Sequence, residues 1–367
     1  MIVIAGGGTG GHTSPGLAVA AALRARGIAC EWIGSRTGLE ARRAPEAGIP
    51  YHAIRTGKLR RALAWQNLPD VFVNAPAGVL QAWRLLRRLR PRVVLATGGF
   101  VALPVALAGA LARVPVVVHE QTAVPGLANR VAARVARRVA VTFAESAGFF
   151  GGAATVVTGN PLRPELRTGR RAAALERFGF DPALPVVYVT GGAQGSHAIN
   201  RAIGEVLAEL LTQTQVVHQS GDNHATGDRV WLQARRAALA PALAARYALR
   251  PWVGDELADV YAAAALVVSR AGAGTVNECC QLGVPALFVP LPGTSGDEQT
   301  ANARLVERAG GAVVLPQSML TAERLAREVQ ALVVDPARLK QMGEHARTLA
   351  VPDAAERIVA VLTEFCR

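Results

Sequence analysis

The sequence predicts an α/β protein made of two doubly wound, Rossmann-like domains. Short apolar runs alternate with longer Ala-, Leu- and Arg-rich segments of helical period along all 367 residues. This alternation is typical of parallel sheets that helices cover on both faces. A strand followed by a glycine-rich turn occurs twice, with the turns at residues 6–12 and 191–197. Because domains usually span ~100–200 residues, the chain length also favours two domains.

Apolar runs between turn-forming residues predict the individual strands. In the first half these runs are Ile2–Ala5, Cys30–Ile33, Val93–Ala96, Val116–Val118, Val139–Val141 and Thr155–Val157. In the second half they are Val186–Thr190, Val216–Gln219, Leu249–Pro251, Leu266–Ser269, Ala286–Val289 and Ala312–Leu315. The segments between them are predicted to form the covering helices.

Two prolines mark the predicted join between the domains. They lie in the segment Gly159-Asn160-Pro161-Leu162-Arg163-Pro164 and interrupt regular structure there. We therefore place the N-terminal domain at residues 1–160 and the C-terminal domain at residues 161–351. The last segment, residues 352–367, is amphipathic and of helical period. Its pattern alone allows packing on either domain.

The basic charge is concentrated in the first half of the chain. The net charge is +13. Residues 1–163 contain 20 Lys and Arg against 6 Asp and Glu, whereas residues 164–367 contain 20 against 21. The first half is therefore expected to face an anionic partner: nucleic acid, anionic lipid or a phosphorylated substrate. Since aromatic residues make up only 5% of the chain and no nucleic-acid-reading module occurs, we expect no nucleic-acid partner.

The composition predicts a cytoplasmic protein without a membrane span. The longest apolar stretch, Val101 to Val118, contains Pro104, Arg113 and Pro115, whereas a spanning helix needs ~20 largely apolar residues. The chain opens directly on a strand, so we expect no signal peptide. Its four cysteines form no CxxC pair and have no metal-ligand spacing, which is typical of a reducing compartment and predicts no metal site.

The first glycine-rich turn allows two interpretations. Gly6, Gly8 and Gly11 fit the GxGxxG pattern of dinucleotide-binding folds, which leaves an NAD-dependent oxidoreductase as a distant alternative. Against it, Glu31 lies inside a predicted strand and not at its end, where a ribose-binding acid belongs. His12, at the predicted start of a helix, is a candidate base for an attacking hydroxyl. The alternative for His12 is a histidine that only hydrogen-bonds the turn.

A second polar cluster follows the strand Leu266–Ser269. Arg270, Thr275 and a helix N-terminus preceded by small residues suit a phosphate. Glu278, early in the same helix, can accept hydrogen bonds from a ribose diol, although a carboxylate there also interacts favourably with the helix dipole. The polar segment from Asp297 to Asn302 could contact sugar hydroxyls, or could be a surface loop.

The segment from Val79 to Arg90 predicts a helix that could lie on a membrane. Its apolar residues share one face, and arginines flank them, as in interfacial helices. The alternative is a helix whose apolar face covers the sheet and whose arginines are solvated. The residues predicted to contact the membrane are Trp65, Val79, Trp83, Leu86, Arg84, Arg87 and Arg88.

The motifs together resemble one enzyme family over nearly the whole chain. In order, they are Gly7-Gly8-Thr9-Gly10-Gly11-His12, His119-Glu120-Gln121, Gly159-Asn160-Pro161, Gly191-Gly192-x-Gln194-Gly195, Arg270-x-Gly272-Ala273-x-Thr275-x-x-Glu278 and Gln299-x-x-Asn302. This order is similar to that of the MurG family, the peptidoglycan lipid-intermediate N-acetylglucosaminyltransferases. The resemblance implies a GT-B fold, in which two Rossmann-like domains face a cleft, with the terminal helix returning to the N-terminal domain.

The resemblance also implies a reaction. N-Acetylglucosamine is transferred from UDP-GlcNAc, with inversion, to the C4 hydroxyl of undecaprenyl-diphosphate-linked N-acetylmuramyl-pentapeptide (lipid I), giving lipid II. No cofactor is implied, and the location implied is the cytoplasmic face of the plasma membrane, held peripherally. An N-terminal acceptor domain and a C-terminal UDP-sugar domain are expected. His12 matches the candidate base, and Glu120 is a second catalytic candidate. The substrate-binding positions are Thr9, Gly10, Gly11, Thr122, Arg163, Ala193, Gln194, Val253, Arg270, Ala273, Gly274, Thr275, Glu278 and Gln299.

Four positions depart from the family pattern. Thr122 stands in place of an asparagine, Ala193 of a serine, Phe100 of a tyrosine and Gly274 of a leucine. The first two remove or shorten hydrogen-bonding groups on the donor side, and they affect single contacts more than the class of reaction. Another GT-B membrane glycosyltransferase acting on a glycolipid is the main alternative, against which the His-Glu-Gln motif and the Gln299 and Asn302 pair argue.

Overall fold

The computed structural model describes residues 1–8, 10–57 and 74–366. They form two compact units, one of residues 1–163 with 351–367 and one of residues 164–350. Each unit contains one parallel β-sheet interleaved with helices. The prediction of two doubly wound, Rossmann-like domains is therefore confirmed.

The first unit contains a seven-stranded sheet in the order β3-β2-β1-β4-β5-β6-β7. Its strands are β1 (Ile2–Gly6), β2 (Cys30–Gly34), β3 (Tyr51–Ala53), β4 (Val93–Gly98), β5 (Val116–Glu120), β6 (Arg138–Val141) and β7 (Thr155–Val157). All neighbouring strands are parallel. The chain order reverses between β1 and β4, and in such sheets ligands usually bind at the carboxyl ends of the strands beside this point.

Two cores cover the two faces of this sheet. Val3 and Ala5 lie in one cluster, and Ile2 and Ile4 lie in the other, because successive strand side chains point to opposite faces. The α-helices among the described residues of the unit are α1 (Gly10–Ala25), α2 (Glu40–Glu46), α3 (Ala75–Leu89), α4 (Ala102–Leu111), α5 (Leu127–Ala133) and, from the end of the chain, α16 (Ala354–Thr363). Helix α16 packs on α1 and adds Ile358 to the second core.

The second unit contains a six-stranded parallel sheet in the order β10-β9-β8-β11-β12-β13. Its strands are β8 (Val186–Thr190), β9 (Gln215–Gln219), β10 (Tyr247–Arg250), β11 (Ala264–Ser269), β12 (Ala286–Phe288) and β13 (Ala312–Val314). Its helices are α6 (Arg171–Phe178), α7 (His197–Glu205), α8 (Leu207–Leu210), α9 (Asp228–Ala237), α10 (Pro241–Ala244), α11 (Leu257–Ala263), α12 (Ala273–Leu282), α13 (Glu298–Arg308), α14 (Ala322–Val333) and α15 (Pro336–Arg347). The order reverses here between β8 and β11.

Most predicted strands agree with the observed ones to within one or two residues at each end, and one strand was missed. Strand β3 was not predicted, because Tyr51, His52 and Ala53 do not form a continuous apolar run and none of them is fully buried. Strand β10 begins at Tyr247, two residues before the predicted start, and ends before Pro251. Proline lacks the N–H that a continuing ladder needs, which explains the earlier end. Among the helices of the described residues, none is long and apolar enough to cross a membrane.

Candidate functional site

A hydrogen bond to the buried carboxylate of Glu40 holds the first glycine-rich turn in place. Glu40, at the start of α2, is fully buried. Its Oε2 accepts a hydrogen bond from the Gly8 N–H at 2.9 Å, and its Oε1 accepts from the N–H and hydroxyl of Ser35 at 3.0 and 2.6 Å. A dinucleotide pyrophosphate would need free amides at this turn. Because the Gly8 N–H already donates to the Glu40 carboxylate, it is not available to a pyrophosphate, which argues against the oxidoreductase alternative.

His12 lies in the first turn of α1, against the end of β4. Its Nδ1 is 2.9 Å from Oε1 of Gln121 and 3.2 Å from the carbonyl oxygen of Thr97. Gly98 has a φ of 99°, and a Cβ there would lie 2.7 Å from this Nδ1. Glycine at this position lets the half-buried imidazole pack directly on the backbone.

The His-Glu-Gln motif lies at the end of β5. His119 is fully buried, and desolvation lowers its pKa to about 4. Its Nε2 is 3.1 Å from the carbonyl oxygen of Gly159. At neutral pH the ring is therefore uncharged and serves to join neighbouring segments of the unit.

Glu120 and Thr122 face their own loop in this structure. The carboxylate of Glu120 is 2% exposed and accepts hydrogen bonds from the Thr122 N–H at 2.9 Å and from the Asn129 amide at 2.8 Å. The Thr122 hydroxyl lies 2.7 Å from the same carboxylate. These contacts shape the loop after β5, and the catalytic role of Glu120 and the substrate-binding role of Thr122 stay predictions.

The second glycine-rich turn connects β8 to α7. Gly195 has a φ of 73°, and a Cβ there would lie 1.9 Å from the Ser220 carbonyl oxygen, so this position requires glycine. Ala193 and Gln194 are exposed at the tip of the turn. Ser196 caps α7 by accepting from the Ile199 N–H at 3.4 Å. The turn thus presents two exposed residues beside a helix N-terminus.

Arg270 follows β11 and is held by neutral acceptors. Its Nη1 donates to the carbonyl oxygens of Val289 at 2.9 Å and Pro290 at 3.2 Å, and its Nη2 donates to Oε1 of Gln317 at 2.6 Å. Burial lowers the pKa of Arg270 to about 10, so the guanidinium stays charged at neutral pH. A partly buried cation whose hydrogen-bond acceptors among the described residues are neutral oxygens is suited to an anionic ligand.

Helix α12 begins at Ala273, three residues after Arg270. Its N-cap is Gly272, which offers no capping side chain, so the first-turn N–H groups at Ala273, Gly274 and Thr275 are not capped by it. These three residues are all partly exposed. The N-terminus of α12 therefore adds hydrogen-bond donors and positive potential to the charge of Arg270.

Glu278 lies in the second turn of α12 and is oriented by a buried tyrosine. The hydroxyl of Tyr261 donates to Oε2 of Glu278 at 2.7 Å. Tyr261 is 3% exposed, and the ring of Tyr188 packs edge-on against it with centroids 5.5 Å apart. The Tyr261 hydroxyl thus helps to fix the orientation of the carboxylate.

Val253 does not present its side chain to solvent. It is 1% exposed, and its N–H donates to Oε1 of Gln219 at 2.9 Å. The adjacent Trp252 is 47% exposed. Of these two neighbours Trp252 is the exposed one, and the substrate-binding role of Val253 stays a prediction.

Gln299 organises the loop between β12 and α13. Its Oε1 accepts from the Leu291 N–H at 3.0 Å. The loop borders a cavity of about 520 Å³, a size within the usual range for small-molecule sites. Gln317 contacts both this cavity and Arg270. The cavity lining is Pro290, Pro292, Gly293, Asp297, Thr300, Val314, Pro316, Gln317 and Ser318.

The apolar face of α3 covers the first sheet. Leu86 is 1% exposed in the core, and Val79 and Trp83 pack against that core. The prediction that Leu86 contacts a membrane is therefore wrong, and Val79 and Trp83 are also largely used by the core. Exposed residues of the helix include Leu80, at 47% exposure, and the arginines Arg84, Arg87 and Arg88.

Thr9 and Trp65 lie outside the described residues. Arg163 ends the first unit's main segment, and its Nε is buried without an acceptor among the residues that the structure describes. Gly10 and Gly11 open α1 directly before His12.

Sequence reasoning missed the residues that orient the candidate groups. Glu40, Thr97 and Tyr261 were not singled out, and Gln121 was quoted only as part of a motif. Each acts through a contact between residues far apart in the chain, such as the 85 positions that separate His12 from Thr97. No local pattern could have shown these contacts.

Comparisons with known proteins identify the family of the chain. The glycosyltransferase family 28 N-terminal domain matches residues 2–141, and the family's C-terminal domain matches residues 186–358. The UDP-N-acetylglucosamine–N-acetylmuramyl-(pentapeptide) pyrophosphoryl-undecaprenol N-acetylglucosamine transferase of Alkalilimnicola ehrlichii is 42% identical, and the alignment covers 100% of this chain and 99% of the relative. The enzyme of that name from Halorhodospira halophila is 40% identical, over 99% and 98%. The crystal structure of Acinetobacter baumannii MurG has a TM-score of 0.74 and 30% identity, over 99% of both chains.

The fold and the two family domains define a glycosyltransferase. The full-length relatives narrow this further: the chain belongs to the MurG family of N-acetylglucosamine transferases. The resemblance predicted from the motifs is thereby confirmed.

Proposed function

We propose that this glycosyltransferase moves N-acetylglucosamine from UDP-GlcNAc to the C4 hydroxyl of undecaprenyl-diphosphate-linked N-acetylmuramyl-pentapeptide, with inversion at the anomeric carbon. The reaction turns lipid I into lipid II in peptidoglycan synthesis, and through it serves cell shape and division. The names of the relatives support this choice of substrates. In this chain, the observation that carries it is the cation of Arg270 beside the open N-terminus of α12, which also bears Glu278.

We assign the donor to the second unit. The diphosphate would accept hydrogen bonds from Arg270 and from the N-terminal amides of α7 and α12. Glu278 would accept hydrogen bonds from the ribose hydroxyls. The cavity bordered by the Gln299 loop has room for the acetylated sugar. Ala193 and Gln194, exposed on the turn before α7, complete the proposed contacts.

We assign the acceptor to the first unit, with His12 as the base. In one displacement the acceptor oxygen bonds to the anomeric carbon while its proton passes to His12. The bond from that carbon to the diphosphate oxygen breaks at the same time, and UDP leaves with the electron pair. The charge that develops on the leaving oxygen is stabilised by Arg270 and the helix N-termini, whose dipoles are fixed before the reaction starts.

Peripheral attachment to the anionic cytoplasmic face of the plasma membrane is the third part of the proposal. The excess positive charge lies in the first half of the chain. On α3, the exposed Leu80 lies beside the exposed Arg84, Arg87 and Arg88. Near an anionic membrane each arginine contributes about 1 kcal/mol of attraction.

Donor binding tests the assignment of the second unit. Titration calorimetry with UDP should show about 10- to 100-fold weaker binding for Arg270→Gln, since a hydrogen bond to a charged group contributes about 1.5–3 kcal/mol. Arg308→Gln is the matched control, because Arg308 is an exposed arginine at the end of α13 in the same unit. Equal affinities for the two variants would remove Arg270 from the donor site.

The acceptor and the membrane need their own measurements. Transfer should require the muramyl-pentapeptide lipid, and equal transfer to an unrelated glycolipid would favour the alternative glycosyltransferase. In vesicle sedimentation, changing Arg84, Arg87 and Arg88 to Gln should weaken binding to anionic vesicles by about 100-fold, from about 1 kcal/mol for each arginine. The control changes three exposed arginines of the second unit, Arg308, Arg327 and Arg338. Equal losses would show that only net charge matters.

A further inference from the structure

Two backbone carbonyls determine where the protons lie around His12. The first belongs to Gly159, whose oxygen is 3.1 Å from Nε2 of His119. A carbonyl oxygen can only accept, so Nε2 of His119 carries the hydrogen. Burial lowers the pKa of His119 to about 4, so the ring is neutral at pH 7 and its Nδ1 has a lone pair. The amide Nε2 of Gln121 lies 3.4 Å from this Nδ1 and donates to it.

The second carbonyl belongs to Thr97 and fixes the orientation of the Gln121 amide. Nε2 of Gln121 also donates to the Thr97 oxygen. If the amide were turned over, its oxygen would face both this carbonyl oxygen and the lone pair of His119, and both contacts would be repulsive. The side-chain oxygen of Gln121 must therefore face His12, at 2.9 Å from Nδ1.

His12 consequently has acceptors on one side of its ring only. Nδ1 faces the Gln121 oxygen and, at 3.2 Å, the Thr97 carbonyl oxygen. Both neighbours accept, so Nδ1 must carry the hydrogen and Nε2 keeps the lone pair. We propose that Gln121 is a positioning residue that holds His12 in the Nδ1-protonated tautomer, which makes Nε2 the atom that takes the acceptor's proton. This inference rests on the proposed role of His12 as the base.

The backbone around the ring supports the same orientation. The Thr97 hydroxyl donates to the His12 carbonyl oxygen at 2.8 Å, which ties the first turn of α1 to β4. At Gly98 the missing Cβ leaves the space that Nδ1 occupies. The imidazole is thus held by its backbone, its neighbouring glycine and the Gln121 oxygen. A histidine free in water exchanges its proton between both nitrogens, and a base in the wrong tautomer cannot act.

The tautomer can be measured without any assay of transfer. In the full-length protein with ¹⁵N-labelled histidine, NMR at pH 8 distinguishes the protonated from the unprotonated ring nitrogen, and the signals of His12 are those that His12→Ala removes. We expect Nδ1 to be protonated and Nε2 to be unprotonated in the wild type. In Gln121→Leu the two shifts should move toward the averaged values of exchanging tautomers. Protonated Nε2 in the wild type would overturn the proposal, whether or not the variant folds.

Kinetics give the second readout. Gln121→Leu should lower kcat for transfer about five- to tenfold, the effect of losing one neutral hydrogen bond. The donor KM should not change, because the donor is assigned to the other unit. Gln121→Asn and Gln81→Leu serve as comparisons, the latter because Gln81 hydrogen-bonds the Arg55 N–H at an exposed place in the same unit. Unchanged His12 shifts and unchanged kcat in Gln121→Leu would contradict the proposal.

The role of His12 as the base and the role of Gln121 can be disproved separately. If His12→Ala transfers sugar as fast as the wild type, His12 is not the base, although the tautomer of its ring still stands as measured. If His12→Ala is inactive but the wild-type ring is protonated at Nε2, the base remains and Gln121 loses the role proposed for it.

Discussion

Replacing Glu40 by glutamine should loosen the turn that carries His12. The carboxylate accepts one hydrogen bond from Gly8 and two from Ser35, and all of these are inside the first unit. Three glycines leave room for it, since a Cβ at Gly7 or Gly38 would lie within 2.5 Å of carboxylate atoms, and one at Gly34 within 2.8 Å of its Cγ. A glutamine fits this space but replaces one acceptor oxygen with an NH₂ group.

The loss in free energy of unfolding can be worked out from the partners of the two Glu40 carboxylate oxygens. The best placement of the glutamine keeps its oxygen on Ser35, where two donors converge, and turns its NH₂ toward the Gly8 N–H. The protein then loses a charge-assisted hydrogen bond, about 1.5–3 kcal/mol, and leaves a buried donor without an acceptor, about 1–3 kcal/mol. Removing a buried charge offsets part of this loss. The expected net loss in free energy of unfolding is about 2–4 kcal/mol.

Urea unfolding followed by tryptophan fluorescence would measure this loss. Trp32 is a suitable reporter because it is fully buried in the first unit and donates to the Gly6 carbonyl oxygen at 3.0 Å. Hydrogen exchange of the Gly8 amide should accelerate in parallel. Glu46→Gln is the control: it lies on the same helix but only in exposed pairs with Arg42 and Arg43, so it should change stability by less than about 1 kcal/mol. Equal effects of the two changes, with Gly8 exchange unaltered, would refute the reasoning.

Three further predictions concern the second unit and the buried histidines. Tyr261→Phe removes the hydroxyl that donates to Glu278, the proposed ribose ligand, and should weaken UDP binding about fivefold to tenfold in calorimetry; unchanged affinity would show that the tyrosine only packs. Gly195→Ala should lower the free energy of unfolding by about 3 kcal/mol or more, because it combines a positive φ with a backbone clash, whereas Gly227→Ala has open space and should cost about 1 kcal/mol in the same melts. Burial lowers the pKa of His119 to about 4 and of His218 to about 3, below the ordinary value near 6.5. The unfolded chain therefore binds more protons below pH 6.5, and each histidine should lower stability by about 2 kcal/mol between pH 7 and pH 5 in urea titrations; equal midpoints at the two pH values would contradict this.

The pattern of apolar runs in the sequence was enough to predict most of the fold. Runs such as Ile2–Ala5 and Val186–Thr190 are continuous and apolar because parallel strands are buried on both faces. Strand β3 was missed because it lies at the edge of the sheet, where Tyr51 and His52 are only partly covered. Edge strands have no such apolar signature.

The helix α3 shows why one pattern can have two meanings. An apolar face flanked by arginines is the same sequence whether the face meets lipid or a sheet. In the structure Leu86 is buried and Arg87 stacks over Trp83 at 5.7 Å from the ring centroid. Only the tertiary packing could decide between the two.

The sequence predicted which residues belong to the candidate site but not how their side chains are oriented. Arg270 and Glu278 could be chosen from local motifs, because a helix N-terminus after small residues is visible in the sequence. The partners that fix them, Gln317 and Tyr261, come from other segments of the chain. The same holds for His12, whose hydrogen bonds come from the ends of β4 and β5.

The most direct test of the central claim is acceptor-dependent release of UDP from UDP-GlcNAc, measured with the lipid-linked muramyl-pentapeptide. The account predicts release by the wild type, and a fall of about 100-fold or more for His12→Ala with donor affinity unchanged, since a general base contributes about 10²–10⁴ in rate. His52→Ala is the control, because His52 is a histidine of the same unit that pairs with Glu31. This variant should release UDP at a rate near that of the wild type. Persistent release by His12→Ala would remove His12 from the chemistry, and a wild type that binds UDP-GlcNAc but releases no UDP with this acceptor would contradict the proposed function.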